Sequence, residues 1–178
     1  MLDLVSSLAT SGLSSARATG RPLSPSVRRA GDGDVAALTR LINRAYQVER
    51  FFVDGERIDA AEVAALRTRG HFLVLDGADR ELAAAVYVRM DGDCGGIGLL
   101  SVAPECQGAG LGRRLVAVAE ALCAAVGCRA VELSIVNLRQ ELGPWYRSQG
   151  YREVGTAPFD QPATQPCHFI RMQKQLTA

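Results

Sequence analysis

The chain has 178 residues, 48% of them hydrophobic, which suits one domain with a sizeable core. Its 20 Lys and Arg nearly balance 19 Asp and Glu, for a formal charge of +1, so no strong field points to nucleic acid or an anionic membrane surface. No run of about 18 apolar residues is present, which argues against a membrane span and for a soluble protein.

Five cysteines, Cys94, Cys106, Cys123, Cys128 and Cys167, form an odd set without paired C-x-x-C spacing, and only His71 and His168 could join them as ligands. That pattern predicts a reduced cytoplasm and no metal site. Cys123 and Cys128, around the end of an apolar helix, read as packing residues.

Residues 1–25 are rich in Ser, Ala, Thr and Gly and lack the positive start of a secretory signal, so they read as a flexible tail or a loose helix over 2–13, with the domain at 26–178. Ser26 to Arg29 is a strand candidate. Asp32 or Asp34 can cap a helix carrying Val35, Leu38, Leu41, Ile42 and Tyr46 on one stripe. An aromatic, charged loop follows, until Asp59 and Glu62 form the pattern of a capping box for a second helix toward Leu66. His71 to Leu75 and Glu81 to Met90 read as a hairpin, and a turn at 91–96 leads into the strand Ile97 to Val102. From Leu111, the residues Leu115, Val118, Leu122 and Val126 recur at helical spacing up to Gly127. Strands are expected at Ala130 to Val136, Tyr151 to Gly155 and His168 to Lys174, with a short helix from Pro144 to Gln149. This order predicts an α/β fold, a mixed, mostly antiparallel sheet of six or seven strands with helices on both faces.

Between the strand ending at Val102 and the helix from Leu111 lies Gln107-Gly108-Ala109-Gly110-Leu111-Gly112-Arg113. Unpaired N–H groups at a helix start carry partial positive charge, and glycines let an anion approach them, so this loop is a candidate phosphate site, with Arg113 as a charged donor. An ordinary tight turn would use the same glycines. The spacing Gly-x-Gly-x-Gly is not the dinucleotide fingerprint, and the Gly-Lys-Ser/Thr of a Walker loop is absent.

In its strand-loop-helix context, Gln107-x-x-Gly110-x-Gly112 resembles the acetyl-CoA signature of the GNAT superfamily of N-acetyltransferases. Trp145-Tyr146-Arg147-Ser148-Gln149-Gly150-Tyr151 resembles that family's second signature. The likeness spans about Ser26 to Leu176 and, in Asn137-Leu138-Arg139 and the ending His168 to Met172, resembles a bacterial sub-branch of unassigned acceptors. It implies acetyl-CoA as cosubstrate, with the backbone of Leu100, Ser101 and Val102 pairing with the pantetheine arm. Gln107, Gly108, Ala109, Gly110, Leu111, Gly112 and Arg113 would hold the pyrophosphate. It also implies a β-bulge before the loop, for which Gly98 is suitably placed, and Asn137 as a further coenzyme ligand. Asn137 and Tyr146 are nine residues apart where family members more often show seven, with Gly143-Pro144 between them.

Acetyl transfer needs a neutral amine, a polarised thioester and a stabilised thiolate. Tyr146 matches the family tyrosine that assists the leaving sulfur, by hydrogen bonding rather than full proton transfer. Glu132 matches a position where some ribosomal-protein acetyltransferases of this superfamily carry a glutamate base. Its alternative is a salt-bridged strand residue. Glu49, Phe51, Phe52 and Arg57, in the loop that covers the acceptor pocket in this fold, are candidates for binding a small amine with an apolar body, or for sealing the sheet edge. The expected activity is acetyl transfer to a primary amine of a small molecule or peptide, with no nucleic-acid or membrane partner and a homodimer left open. A coenzyme A-binding module without turnover, and a transferase of longer acyl chains, are the alternatives.

Overall fold

The structure is a computed structural model that describes residues 26–78 and 81–177; the expected tail lies outside the described residues. Strand β1 (Val27–Arg29) leads through a 3-10 turn at Asp32–Asp34 into helix α1 (Val35–Tyr46). The stripe read from the sequence is the buried face: Leu38, Leu41 and Ile42 are almost wholly inaccessible, each worth about 2 kcal/mol of burial. Helix α2 (Ala60–Arg69) starts on the expected capping box, with Glu62 N donating to Asp59 Oδ1 at 2.7 Å and Asp59 N to Glu62 Oε2 at 2.9 Å.

Strands β2 (His71–Asp76), β3 (Leu82–Asp91) and β4 (Cys94–Val102) form an antiparallel meander. Helix α3 (Leu111–Ala125) then crosses over to β5 (Ala130–Val136), which lies parallel to β4, and helix α4 (Leu142–Arg147) precedes β6 (Arg152–Pro158) and β7 (His168–Gln175). The seven strands run in the order β1-β2-β3-β4-β5-β7-β6, and β4-β5 is their one parallel pair. Helices α1 and α2 pack on one face against Phe72, Val74, Ala85 and Tyr87, while α3 packs on the other against Val86, Val88, Val131 and Leu133. The fold class is the expected one.

Two departures from the sequence reading matter for the site. The turn after β3 is only Gly92-Asp93, so Gly95 and Gly96 belong to β4 rather than to a loop. A Cβ at Gly95 would lie 2.4 Å from Cys123 Sγ, so α3 sits too close for any side chain there. The second is the bulge. Ala85 opposes Ser101 and Tyr87 opposes Gly98, which leaves Val86 facing both Leu99 and Leu100. Leu99, one residue past the expected Gly98, takes the bend with φ +49°, a conformation that costs a side-chain-bearing residue about 1–2 kcal/mol.

The bulge has a consequence on the other edge of β4. That strand pairs with β5 only from Cys94 to Gly96, opposite Ala130 to Glu132, and beyond this the two parallel strands separate. Residues 97–102 and 133–136 therefore flank a gap in the middle of the sheet.

Candidate active site

That gap opens into a cavity of about 740 Å³, walled on one side by Leu100, Val102, Gln107, Gly112, Trp145 and Tyr146, and on the other by Tyr46, Glu49, Arg57, Phe159, Gln161 and Phe169. The first wall reaches the glycine loop. Gly108 and Gly110 have φ of +78° and +77°, and a Cβ on either would meet open space, so glycine is required there by backbone conformation. Gly110 caps α3, and Arg114 N donates to Gly110 O at 3.1 Å. The N–H groups of Leu111, Gly112 and Arg113 precede that bond and have no acceptor within the helix. Gly112 packs beside the Trp145 ring and Val102, where an added Cβ would stand at an ordinary contact distance of 3.6 Å from each.

Tyr146 is buried on α4, with its ring edge-on to Trp145 at 4.7 Å and to Tyr151 at 5.5 Å between centroids. Burial raises its pKa, the nearby Tyr46 hydroxyl raises it further, and Arg139 opposes both. Burial likewise pushes Tyr46 up to about 12, against the pull of Arg57. Both hydroxyls keep their protons at neutral pH and face the cavity as donors. Tyr46, read from the sequence as the last member of a core stripe, closes α1 at the cavity edge instead.

A 3-10 turn at Gln47–Glu49 directly after α1 swings Glu49 inward, where it is buried and accepts from Arg139 Nη1 at 3.0 Å. Arg139 also donates through Nε to Glu141 Oε1 at 2.6 Å, so the longer β5-α4 connection carries the cation that anchors Glu49. Burial raises the Glu49 pKa, and Arg139 and then Arg57 pull it back down. Arg139 had no signal in the sequence beyond its place in that connection. Arg57 lies 5.3 Å over the ring of Tyr46, and the next residue is tied to α1 by Asn43, through Nδ2 to Ile58 O at 2.9 Å and Ile58 N to Oδ1 at 3.0 Å.

The remaining sequence candidates fall elsewhere. Glu132 is outside the cavity lining, beside the last β4-β5 pair, where Gln173 Nε2 donates to Oε1 at 2.8 Å and Arg171 Nη2 to Oε2 at 3.1 Å. The ion pair with Arg171 is the one that its alternative reading describes. Asn137 extends the β5-β7 ladder, with Asn137 N donating to His168 O at 3.0 Å and Oδ1 accepting from His168 N at 2.8 Å. Ser101 is buried and bonds back across the bulge to Leu99 O at 3.0 Å. Phe52 is fully buried and Phe51 half exposed, and neither lines the cavity; their carbonyls accept from Thr164 N at 2.9 Å and Gln165 Nε2 at 2.8 Å. Ala109 and Arg113 are exposed on the loop and the first turn of α3.

The family model for the acetyltransferase (GNAT) family matches residues 35–151, about two thirds of the chain. The chain belongs to the GNAT acetyltransferase family. Its fold is similar to that of the ribosomal-protein-S18-alanine N-acetyltransferase from Escherichia coli, with a TM-score of 0.72 and 17% identity over 86% of this chain and 94% of that one. It is also similar to nourseothricin acetyltransferase, at 0.68 and 20% over 87% and 100%. A third structure, yncA from Salmonella typhimurium solved with its cofactor acetyl-CoA, matches at 0.69 and 20% over 86% and 95%. A comparison with curated proteins finds no match. Among the described residues of this GNAT protein, no helix is long and apolar enough to cross a membrane.

Proposed function

We propose that this protein transfers an acetyl group from acetyl-CoA to the primary amine of a small molecule or peptide by direct attack, with Glu49 accepting the amine proton and Tyr146 assisting the leaving thiolate. One observation carries the reading: the Tyr146 hydroxyl and the Glu49 carboxylate line the same cavity, and that cavity runs from the separated strands to the N-terminus of α3.

The residues suit acetyl-CoA. The free N–H groups of Leu111 to Arg113 match a pyrophosphate, and the edge of β4 past Gly96 leaves backbone groups for an amide-bearing arm against Leu100 and Val102. Bound there, acetyl-CoA would supply a thioester whose carbonyl carbon takes the amine and whose sulfur leaves. The chain's own groups handle the protons. An ordinary amine is mostly protonated at neutral pH, and the Glu49 carboxylate, within reach of the cavity directly or through water, can accept the proton it gives up. The raised pKa of Glu49 brings it closer to that task than an exposed carboxylate would be. Tyr146, held protonated by burial, donates a hydrogen bond where negative charge gathers on sulfur; the thiolate takes its final proton from solvent. Glu132 is not needed in this scheme, because its two oxygens are already engaged by Arg171 and Gln173.

The test is thiol release with acetyl-CoA over a panel of amines, with Tyr146→Phe and Glu49→Gln beside the wild type. Each variant should keep coenzyme affinity and lose about 100-fold in kcat. Full turnover in both would overturn the assignment of roles, and no thiol release with any amine would overturn the reaction itself.

A further inference from the structure

Arg57 has no carboxylate within 4.0 Å among the described residues, whereas Arg28, Arg67 and Arg139, half-buried like it, hold one at 2.8, 2.7 and 3.0 Å. It lies on the cavity wall beside Glu49, close enough to lower that group's pKa, with its guanidinium carbon 5.3 Å from the centre of the Tyr46 ring. A guanidinium carries five N–H donors in a planar fork, a geometry that matches a planar, bidentate anion. The double hydrogen bond between Asn43 and Ile58 fixes the backbone beside it, so the cation is held in place before any ligand arrives.

None of the carboxylates around it comes within 4.0 Å of it. Glu49 and Glu141 are both bonded to Arg139. In the adjoining outer pocket, Glu62 is spent on the α2 capping box, Glu56 pairs with Arg50 at 3.4 Å, and Asp54 lies beyond 4.0 Å of the Arg57 guanidinium. The cavity wall therefore carries a half-buried guanidinium that makes no ion pair within 4.0 Å, next to a carboxylate suited to an amine.

The acceptor side also carries an aromatic patch and a roof. Phe159 and Phe169 line it with ring centroids 5.0 Å apart. Above, the α1-α2 loop is stitched to the β6-β7 connection by Thr164 N to Phe52 O and Gln165 Nε2 to Phe51 O, at 2.9 and 2.8 Å. These bonds join the two halves of the sheet across the acceptor end, which favours a small molecule over a threaded polypeptide.

We infer that the acceptor is a free amino acid with an apolar or aromatic side chain, its carboxylate paired with Arg57, its amine directed to Glu49 and its side chain against Phe159 and Phe169. This rests on the proposed assignment of the Glu49 side as the acceptor side. The apolar side chain is selected by the aromatic wall, the carboxylate by the guanidinium that makes no ion pair of its own, and the size by the roof.

Two measurements separate this inference from the reading beneath it. In the first, apolar and aromatic L-amino acids, their decarboxylated amines and short peptides with free N-termini are compared for thiol release by wild type, Arg57→Lys and Arg57→Gln. The wild type should favour the best amino acid over its decarboxylated amine by about 100-fold in kcat/KM. That ratio should fall to near one in Arg57→Gln and partly recover in Arg57→Lys. Equal rates with and without the carboxylate, an unchanged ratio in Arg57→Gln, or peptides exceeding every amino acid would each overturn it. The second measurement is independent of turnover: calorimetric titration of the same amino acids and amines into the protein saturated with coenzyme A. Binding of a carboxylate-bearing acceptor that Arg57→Gln abolishes supports the inference even if catalysis is assigned wrongly. Absence of binding by every amino acid overturns it even if other amines are acetylated.

Discussion

Arg139 Nη1 donates to Glu49 Oε1 at 3.0 Å, joining residues 90 positions apart on the wall of the cavity that Tyr146 also lines. Burial and this ion pair pull the Glu49 pKa in opposite directions, and burial wins, so the carboxyl titrates above the usual range. If Glu49 must be ionised to accept a proton, kcat/KM rises with pH through that raised value. Arg139→Met removes the main downward pull and should move the acidic limb to still higher pH. Glu49→Gln should remove the limb together with about 100-fold of activity, while Glu132→Gln keeps it. A pH-rate profile of the four proteins from about pH 4 to 9 checks this, and a limb that survives in Glu49→Gln would refute it.

The extent to which the site could be read from sequence follows from which interactions are local. The α2 capping box, the α1 stripe and the glycine loop all act within a few residues, and each is found where the pattern puts it. Glu49 and Arg139 could not be paired in advance, because what joins them is the separation of β4 from β5, a tertiary event. Gly95 and Gly96 read as turn residues because glycine carries two messages, and here the second, close approach of a neighbour, applied: α3 at Gly95 and the Arg89 side chain at Gly96. Phe51 and Phe52 drew attention as an aromatic pair in a charged loop, and the chain uses their carbonyls to hold the β6-β7 connection.

Gly110 permits a test that separates backbone strain from anion binding. With φ of +77° and open space around its missing Cβ, Gly110→Ala should cost about 1–2 kcal/mol of stability without blocking the loop. Gly110→Glu adds a carboxylate at the N-terminus of α3, beside the N–H groups assigned to pyrophosphate, and should weaken coenzyme A binding at least about tenfold more than Ala does. Titration calorimetry of both variants decides it. Equal affinities would mean that the anion sits elsewhere.

Gly70 is a purely structural case. Its φ of −171° is ordinary extended backbone, but a Cβ would lie 2.5 Å from Val88 O and 2.6 Å from Tyr87 Oη. The tyrosine cannot easily withdraw, because it is packed on Phe72 with ring centroids 5.1 Å apart and donates to Leu66 O at 3.2 Å. Gly70→Ala should therefore lose about 2–3 kcal/mol in urea unfolding, whereas Gly33→Ala, with nothing within 4 Å, should stay near wild type. Comparable losses in the two would show that helix and strand preferences, not the clash, govern.

Arg28 ties the first strand to its neighbours by two carboxylates: it donates to both oxygens of Asp34 at 2.8 and 2.9 Å, and to Asp76 at distances down to 2.6 Å. These hydrogen bonds lower both carboxyl pKa values below the ordinary carboxylate range. A depressed folded-state pKa stabilises above the unfolded value of about 4, and the contribution is lost as pH falls through the folded value. Asp76 is more than half exposed and contributes little, so most of the effect rests on Asp34, with side-chain exposure of 19%. Arg28→Gln should therefore be about 1 kcal/mol less stable than wild type at neutral pH, with the gap closing as pH falls below about 4. Urea unfolding across that range measures it. A gap that persists undiminished in acid would assign the loss to packing of the arginine stem rather than to its charge.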